Sequence, residues 1–177
     1  MLAKLSSPSD RFNARCAAER WPTHCDPTLA FEDERLAALL AIWRAAGAPG
    51  GGLPRREDFT ARMLGKQLQH LTFVEIVEGR YRFRLFGTAL SRFTGDWTGK
   101  FLDEAVAEPM LTSWLATYDT AVEARAPLRY TSRFRAAELA HIAAETLIAP
   151  LAGAEGSGGA GGVGGLLISV AYTAVVA

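Results

Sequence analysis

Apolar positions recur along this chain with two different periods, and the switch between them separates a helical front from a strand-rich remainder. From Glu32 to Ala46, Leu36, Leu39, Leu40 and Trp43 fall at i, i+3, i+4 and i+7, with Asp33, Glu34, Arg35 and Arg44 around them. That spacing predicts an amphipathic helix. Ala48-Pro49-Gly50-Gly51-Gly52 stops it, and a shorter helical piece is expected from Pro54 to Gly65. Leu71 to Val77 then reads as a strand. After the Glu78-Gly79 turn, Arg80-Tyr81-Arg82-Phe83-Arg84-Leu85 alternates charge with apolar bulk. Period two puts Tyr81, Phe83 and Leu85 on one face and the arginines on the other.

Thr88 is the expected N-cap of a short helix holding Ala89, Leu90 and Phe93, with Gly95 at its exit. A long helix is predicted from Glu108 to Ala126, where Leu111, Leu115, Tyr118 and Val122 form the apolar stripe. Pro127 ends it. Three strands follow, Leu128 to Arg135, His141 to Leu151 and Leu166 to Val176, the last almost uniformly apolar and therefore suited to the middle of a sheet. The glycine-rich stretch from Gly153 to Gly165 reads as a hairpin loop. Gly159 to Gly164 satisfies G-x-G-x-x-G, but no helix opens there and no acid follows about 20 residues on, so the match lacks the context of a dinucleotide site.

The residues that stand out lie between the second strand and the long helix. Arg84 to Thr88 spells R-x-x-G-T, and Thr98-Gly99-Lys100-Phe101-Leu102-Asp103 spells T-G-[KR]-x-L-[DE]. In these motifs, and in the order of elements around them, the chain resembles the PAS family, most closely a bacterial single-domain group. The resemblance covers roughly residues 68–177. It implies an α+β fold in which a five-stranded antiparallel sheet of order 2-1-5-4-3 carries helices on one face. The division it suggests is a mobile leader over residues 1–30, a helical extension over 31–66 and the PAS-like domain over 67–177.

Composition narrows the partners. Lys plus Arg and Asp plus Glu each number 19, which leaves no surplus of positive charge for nucleic acid. No apolar run approaches the roughly 20 residues that span a bilayer, and no signal peptide is visible, so a cytoplasmic protein is expected. Cys16 and Cys25, with His24 beside the second, offer three ligands where a stable zinc site gathers four, so no metal is predicted and two reduced thiols in a solvated leader are expected.

Catalytic motifs are missing: there is no H-E-x-x-H, C-x-x-C or G-x-S-x-G, and the three histidines are His24, His70 and His141. Judged by the family's known cofactors, covalent flavin is disfavoured because neither cysteine follows the second strand, and haem because the long helix has no histidine. No cofactor is predicted, although Trp97 could stack a planar ring. The candidate ligand pocket is the hollow between the sheet and the short helices, walled by Phe73, Phe83, Leu85, Phe93, Trp97, Phe101, Trp114, Tyr118 and Tyr130. Arg84 could clamp a carboxylate if buried; the alternation favours an outward position.

Two functions compete at this level. The first is a stand-alone PAS-like sensory or regulatory domain, without an output domain of its own, that binds a small apolar or amphipathic ligand or a signalling protein. It would pair into a homodimer through Leu36, Leu39, Leu40 and Trp43. The second is a small α+β enzyme of isomerase or hydratase type. That reading requires Glu75 or Glu145, the plausible interior carboxylates, to lie buried beside His70 or His141 in an open pocket.

Overall fold

Val163–Ala174, the apolar strand closest to the C-terminus, lies inside a six-stranded, wholly antiparallel sheet. The computed structural model of the chain describes residues 6–47, 52–134, 142–153 and 162–174. His141 and most of the glycine run, including the start of the G-x-G-x-x-G match, lie outside the described residues. In chain order the strands are β1 (Thr23–Asp26), β2 (Leu71–Val77), β3 (Arg80–Phe86), β4 (Leu128–Phe134), β5 (Ile142–Ala152) and β6 (Val163–Ala174). They are arranged β1-β4-β5-β6-β2-β3. Read from β3, the last five give the expected 2-1-5-4-3 order with β6 at its centre. β1 is added beyond it, on the free edge of β4.

The helices are α1 (Pro8–Glu19), α2 (Glu34–Ala46), α3 (Ala61–Leu64), α4 (Thr88–Thr94), α5 (Leu102–Ala105) and α6 (Met110–Ala124). They cover both faces of the sheet, not one. On the first face α6 packs over Ile148, Ile168, Tyr130 and Leu128. On the other, α2 buries Leu36, Leu39 and Leu40 against Phe73, Leu147, Ala149 and Leu167. Two covered faces explain why β6 is apolar at nearly every position.

The expected pairing surface is therefore occupied within the chain. Leu36 and Leu39 are fully enclosed, Leu40 is nearly so, and the Trp43 indole N–H donates to the Pro150 carbonyl at 3.0 Å. Burying each leucine is worth about 2–3 kcal/mol, so the sheet face claims the stripe before a second copy can. Helix α2 starts from a side-chain cap: the Asp33 carboxylate accepts the Leu36 N–H at 3.1 Å.

The leader is also part of the fold rather than a solvated tail. Ser7 and Asp10 exchange side-chain and backbone hydrogen bonds in a capping box, with Pro8 in the first turn, so α1 has a complete start. Its Phe12 and Cys16, four residues apart, turn inward, and the Phe12 ring meets Tyr130 edge-on at 5.4 Å. Asn13 brackets the outer edge of β1, accepting from the Cys25 N–H at 2.8 Å and donating to its carbonyl at 2.9 Å. The side chain of α1 thus supplies the bonds that a further strand would have made.

One register break redirects the second strand of the hairpin. Phe73 pairs with Leu85 but Val74 pairs with Phe83, so Arg84 is an extra residue in a β-bulge. Tyr81 and Phe83 face α6, whereas Leu85 packs on the α2 side beside Phe73, which the strict alternation did not foresee. Gly87, not Thr88, caps α4. A side chain there is excluded, because a Cβ would stand 2.4 Å from the Gln69 carbonyl oxygen and 2.8 Å from that of Leu71.

Candidate functional site

The hollow expected under the short helices is filled by aromatic rings. Trp97, in the loop after α4, lies 5.5 Å from Phe83, 5.0 Å from Phe86 and 6.0 Å from Trp114 between ring centroids. Phe83 and Phe86 meet edge-on at 5.5 Å. Tilted and edge-on contacts of this kind are the stable packing of such rings. Trp97, considered as a stacking platform, is thus one wall of a ring cluster.

The open space lies further along α6. A cavity of about 950 Å³ separates the first half of that helix from β4, β5 and β6, with the α1–β1 connection at one side. Its inner wall is Tyr118 and Tyr130 with Ile148 and Ile168, all buried. Trp114 and Thr117 come from α6, Ala144 and Thr146 from β5, and Ser132 from β4. Period two on β5 sends Ala144, Thr146 and Ile148 to this face and Glu145 and Leu147 to the other.

Two tyrosines of the wall differ in one respect. The Tyr130 hydroxyl donates to the Thr117 carbonyl at 3.0 Å. Tyr118 meets Tyr81 edge-on at 5.2 Å, and Tyr81 donates to the Asp119 carboxylate at 2.6 Å. The Tyr118 hydroxyl itself has no hydrogen-bond partner among the described residues, although the residue is 6% exposed. Burial raises its ionisation well above the ordinary phenol value, so it stays protonated and able to donate. With its hydroxyl on the cavity wall, Tyr118 is a donor that water or a ligand in that space can use.

Of the nine residues expected to wall the pocket, Trp114, Tyr118 and Tyr130 do line this cavity. Phe83 and Trp97 belong to the adjoining ring cluster. Phe73 and Leu85 face α2, on the opposite side of the sheet. Phe101 sits outside β3 with the Arg80 guanidinium 3.8 Å over its ring. Phe93 lies in α4, and its side chain is outside the described residues. Thr146, Ile148 and Ile168 were missed in sequence, though strand alternation around Glu145 would have marked the first two.

A second hollow of about 840 Å³ lies across the sheet, bordered by His24, Glu32, Asp33, Arg129, Thr131 and Glu145. Its centre is an ion-pair cluster. Arg129 reaches Asp26 at 2.9 Å and also binds Glu145, and all three side chains are mostly buried. Hydrogen bonds from the Thr28 hydroxyl and N–H, followed by Arg129, hold the Asp26 carboxyl below the usual range. Glu75 is engaged by Arg82 and by Arg84 at 3.5 Å, and Arg84 lies outward, more than half exposed. Both candidate carboxylates are thus committed to arginines rather than to His70.

The two cysteines are enclosed under α1 and unbridged. Burial, and then the neighbouring Cys25, push the Cys16 thiol up to about 11; burial likewise raises Cys25. Among the described residues no group of three or more His, Cys, Asp or Glu is placed to hold a metal ion, and no helix is long and apolar enough to cross a membrane.

The fold is a small α+β module with a cavity between one long helix and an antiparallel sheet. The PAS domain family profile matches residues 32–165, well over half of the 177-residue chain, and the chain belongs to that family. The match begins at Glu32 and so takes in α2 and strands β2 to β5, leaving α1 and β1 before it and most of β6 after it. No curated protein and no solved structure matches the chain.

Proposed function

We propose that this PAS domain is a regulatory sensor that takes a small, largely apolar molecule into the cavity between α6 and the sheet. The observation that carries the reading is the cavity itself, about 950 Å³ between α6 and the sheet, into whose wall Tyr118 brings a protonated hydroxyl that has no acceptor among the described residues. Around it Trp114, Tyr130, Ile148 and Ile168 offer the apolar lining typical of ligand sites, and the hydroxyls of Thr117, Ser132 and Thr146 are polar groups that can fix orientation.

Occupancy can be relayed through β5. Ala144 and Thr146 border the cavity, and Glu145 between them faces the other side. There its carboxylate accepts the backbone N–H groups of Glu32 at 3.0 Å and Asp33 at 2.9 Å, the residues that open α2. A shift of this strand moves the anchor of α2, so α2 and its surroundings are the surface through which the signal leaves. A cytoplasmic signalling partner is part of the same proposal.

Native mass spectrometry of freshly purified protein tests the reading. The wild-type chain is expected to carry a small-molecule adduct, and Thr146→Trp and Thr117→Trp, which fill the cavity from the sheet and from the helix, are expected to lose it. A bare wild-type chain, or an adduct that persists in both variants while they melt cooperatively, contradicts it.

A further inference from the structure

We infer that the molecule held in this cavity is an amphipathic carboxylate, its apolar body against Trp114, Tyr118 and Ile168 and its charge at a rim formed by Arg20 and Arg133. The inference rests on the cavity being the ligand site and adds the chemical class of the ligand.

Among the described residues Arg20 and Arg133 are the charged residues that border the cavity, and no Asp or Glu borders it. In a chain with equal acidic and basic counts, a wall of one sign is a local arrangement and not a consequence of composition. Other arginines are matched with acids: Arg11 with Glu123, Arg80 with Asp103, Arg82 and Arg84 with Glu75, and Arg129 with Asp26 and Glu145. Neither Arg20 nor Arg133 has an ion pair among the described residues.

The backbone brings the two together. Arg20 closes α1 in the left-handed conformation, with φ at 57°, which turns the chain towards β1. Two residues on, the Pro22 carbonyl accepts the Arg133 N–H at 3.1 Å. Beside them the hydroxyls of Thr23 and Ser132 lie 3.1 Å apart, and both border the cavity. Arg133 borders the second hollow as well, where the two spaces meet around the β1–β4 edge, whereas Arg20 borders the first alone. A planar guanidinium matches a carboxylate in shape and charge, and the hydroxyls add neutral donors. The inner wall, built of aromatic and branched apolar side chains, excludes charge.

Decanoate, decanol and decylamine share one apolar body and differ in head group, so their affinities for the full chain, measured by titration calorimetry, separate the head from the body. Decanoate is expected to bind about tenfold more tightly than decanol, the scale of two exposed charge contacts, and decylamine more weakly than either. In the Arg20→Gln/Arg133→Gln double variant, both positions being exposed, decanoate is expected to fall to the decanol affinity while decanol is unchanged. Equal binding of decanoate and decanol by the wild type, or a preference that survives in the double variant, overturns the anion inference while leaving the cavity as an apolar site. Failure of all three to bind overturns both.

Discussion

Glu145 and Asp33 lie 112 positions apart in the chain and are joined by one hydrogen bond, the Asp33 N–H donating to the Glu145 carboxylate at 2.9 Å. The same carboxylate takes the Glu32 N–H and binds Arg129, so a single buried side chain on β5 fastens the start of α2 to the sheet. Replacing Glu145 by Ala removes those acceptors and leaves Arg129 with Asp26 as its nearest partner. Loss of about 3 kcal/mol is expected, as for a broken buried pair, read from the urea midpoint.

The packing of α2 leads to a second expectation. Leu40→Ala empties a site that is 4% exposed in the α2-side core. It is expected to cost about 2–4 kcal/mol of stability. Sedimentation of the folded variant is expected to match the wild type, because the side chain packs within its own chain; a change in mass without a change in stability would show that it packs between chains.

Thiol reactivity tests the order of the leader. Cys16 and Cys25 are buried beneath α1 with raised ionisation, and the thiolate is the reactive form. Both are expected to resist an aromatic disulfide reagent at neutral pH and to react together once denaturant unfolds the chain. Fast labelling of native protein would mean that α1 does not hold.

Acid sensitivity is expected from His70. Burial, and then the Arg35 charge, lower its pKa from the ordinary 6.5. The folded state therefore binds this proton less readily than the unfolded one. Its contribution is complete above pH 6.5 and is lost as the pH falls from there through the depressed folded value. His70→Gln should flatten the dependence of stability on pH in that window, measured by urea titrations at successive pH values.

Strand order was legible because local chemistry dictates it: the Glu78-Gly79 turn, with both residues at positive φ, fixes the first hairpin, and the apolar run of β6 fits only a covered central strand. The leader was not legible. Phe12 and Cys16 gain their meaning only from Tyr130, more than a hundred residues away, and β1 exists because β4 has an edge to offer. Leu85 lies on the face opposite to the one strict alternation predicts because one bulge residue, Arg84, breaks an alternation that carries no mark of the break in the sequence. The site followed the same division. Trp114 and Tyr118 stand four apart on one helix, a spacing that can be counted, whereas the space beside them arises because Phe83, Phe86 and Trp97 fill one flank of α6 and leave the other open.

Binding of a neutral apolar dye, Nile red, tests the central claim most directly, because it asks only whether the space between α6 and the sheet admits a molecule. Wild-type protein is expected to bind it saturably at one site per chain, and Thr146→Trp, while still melting cooperatively, is expected to abolish that binding. Equal binding by the two proteins, or no binding by either, would contradict the claim that this cavity is where the domain receives its signal.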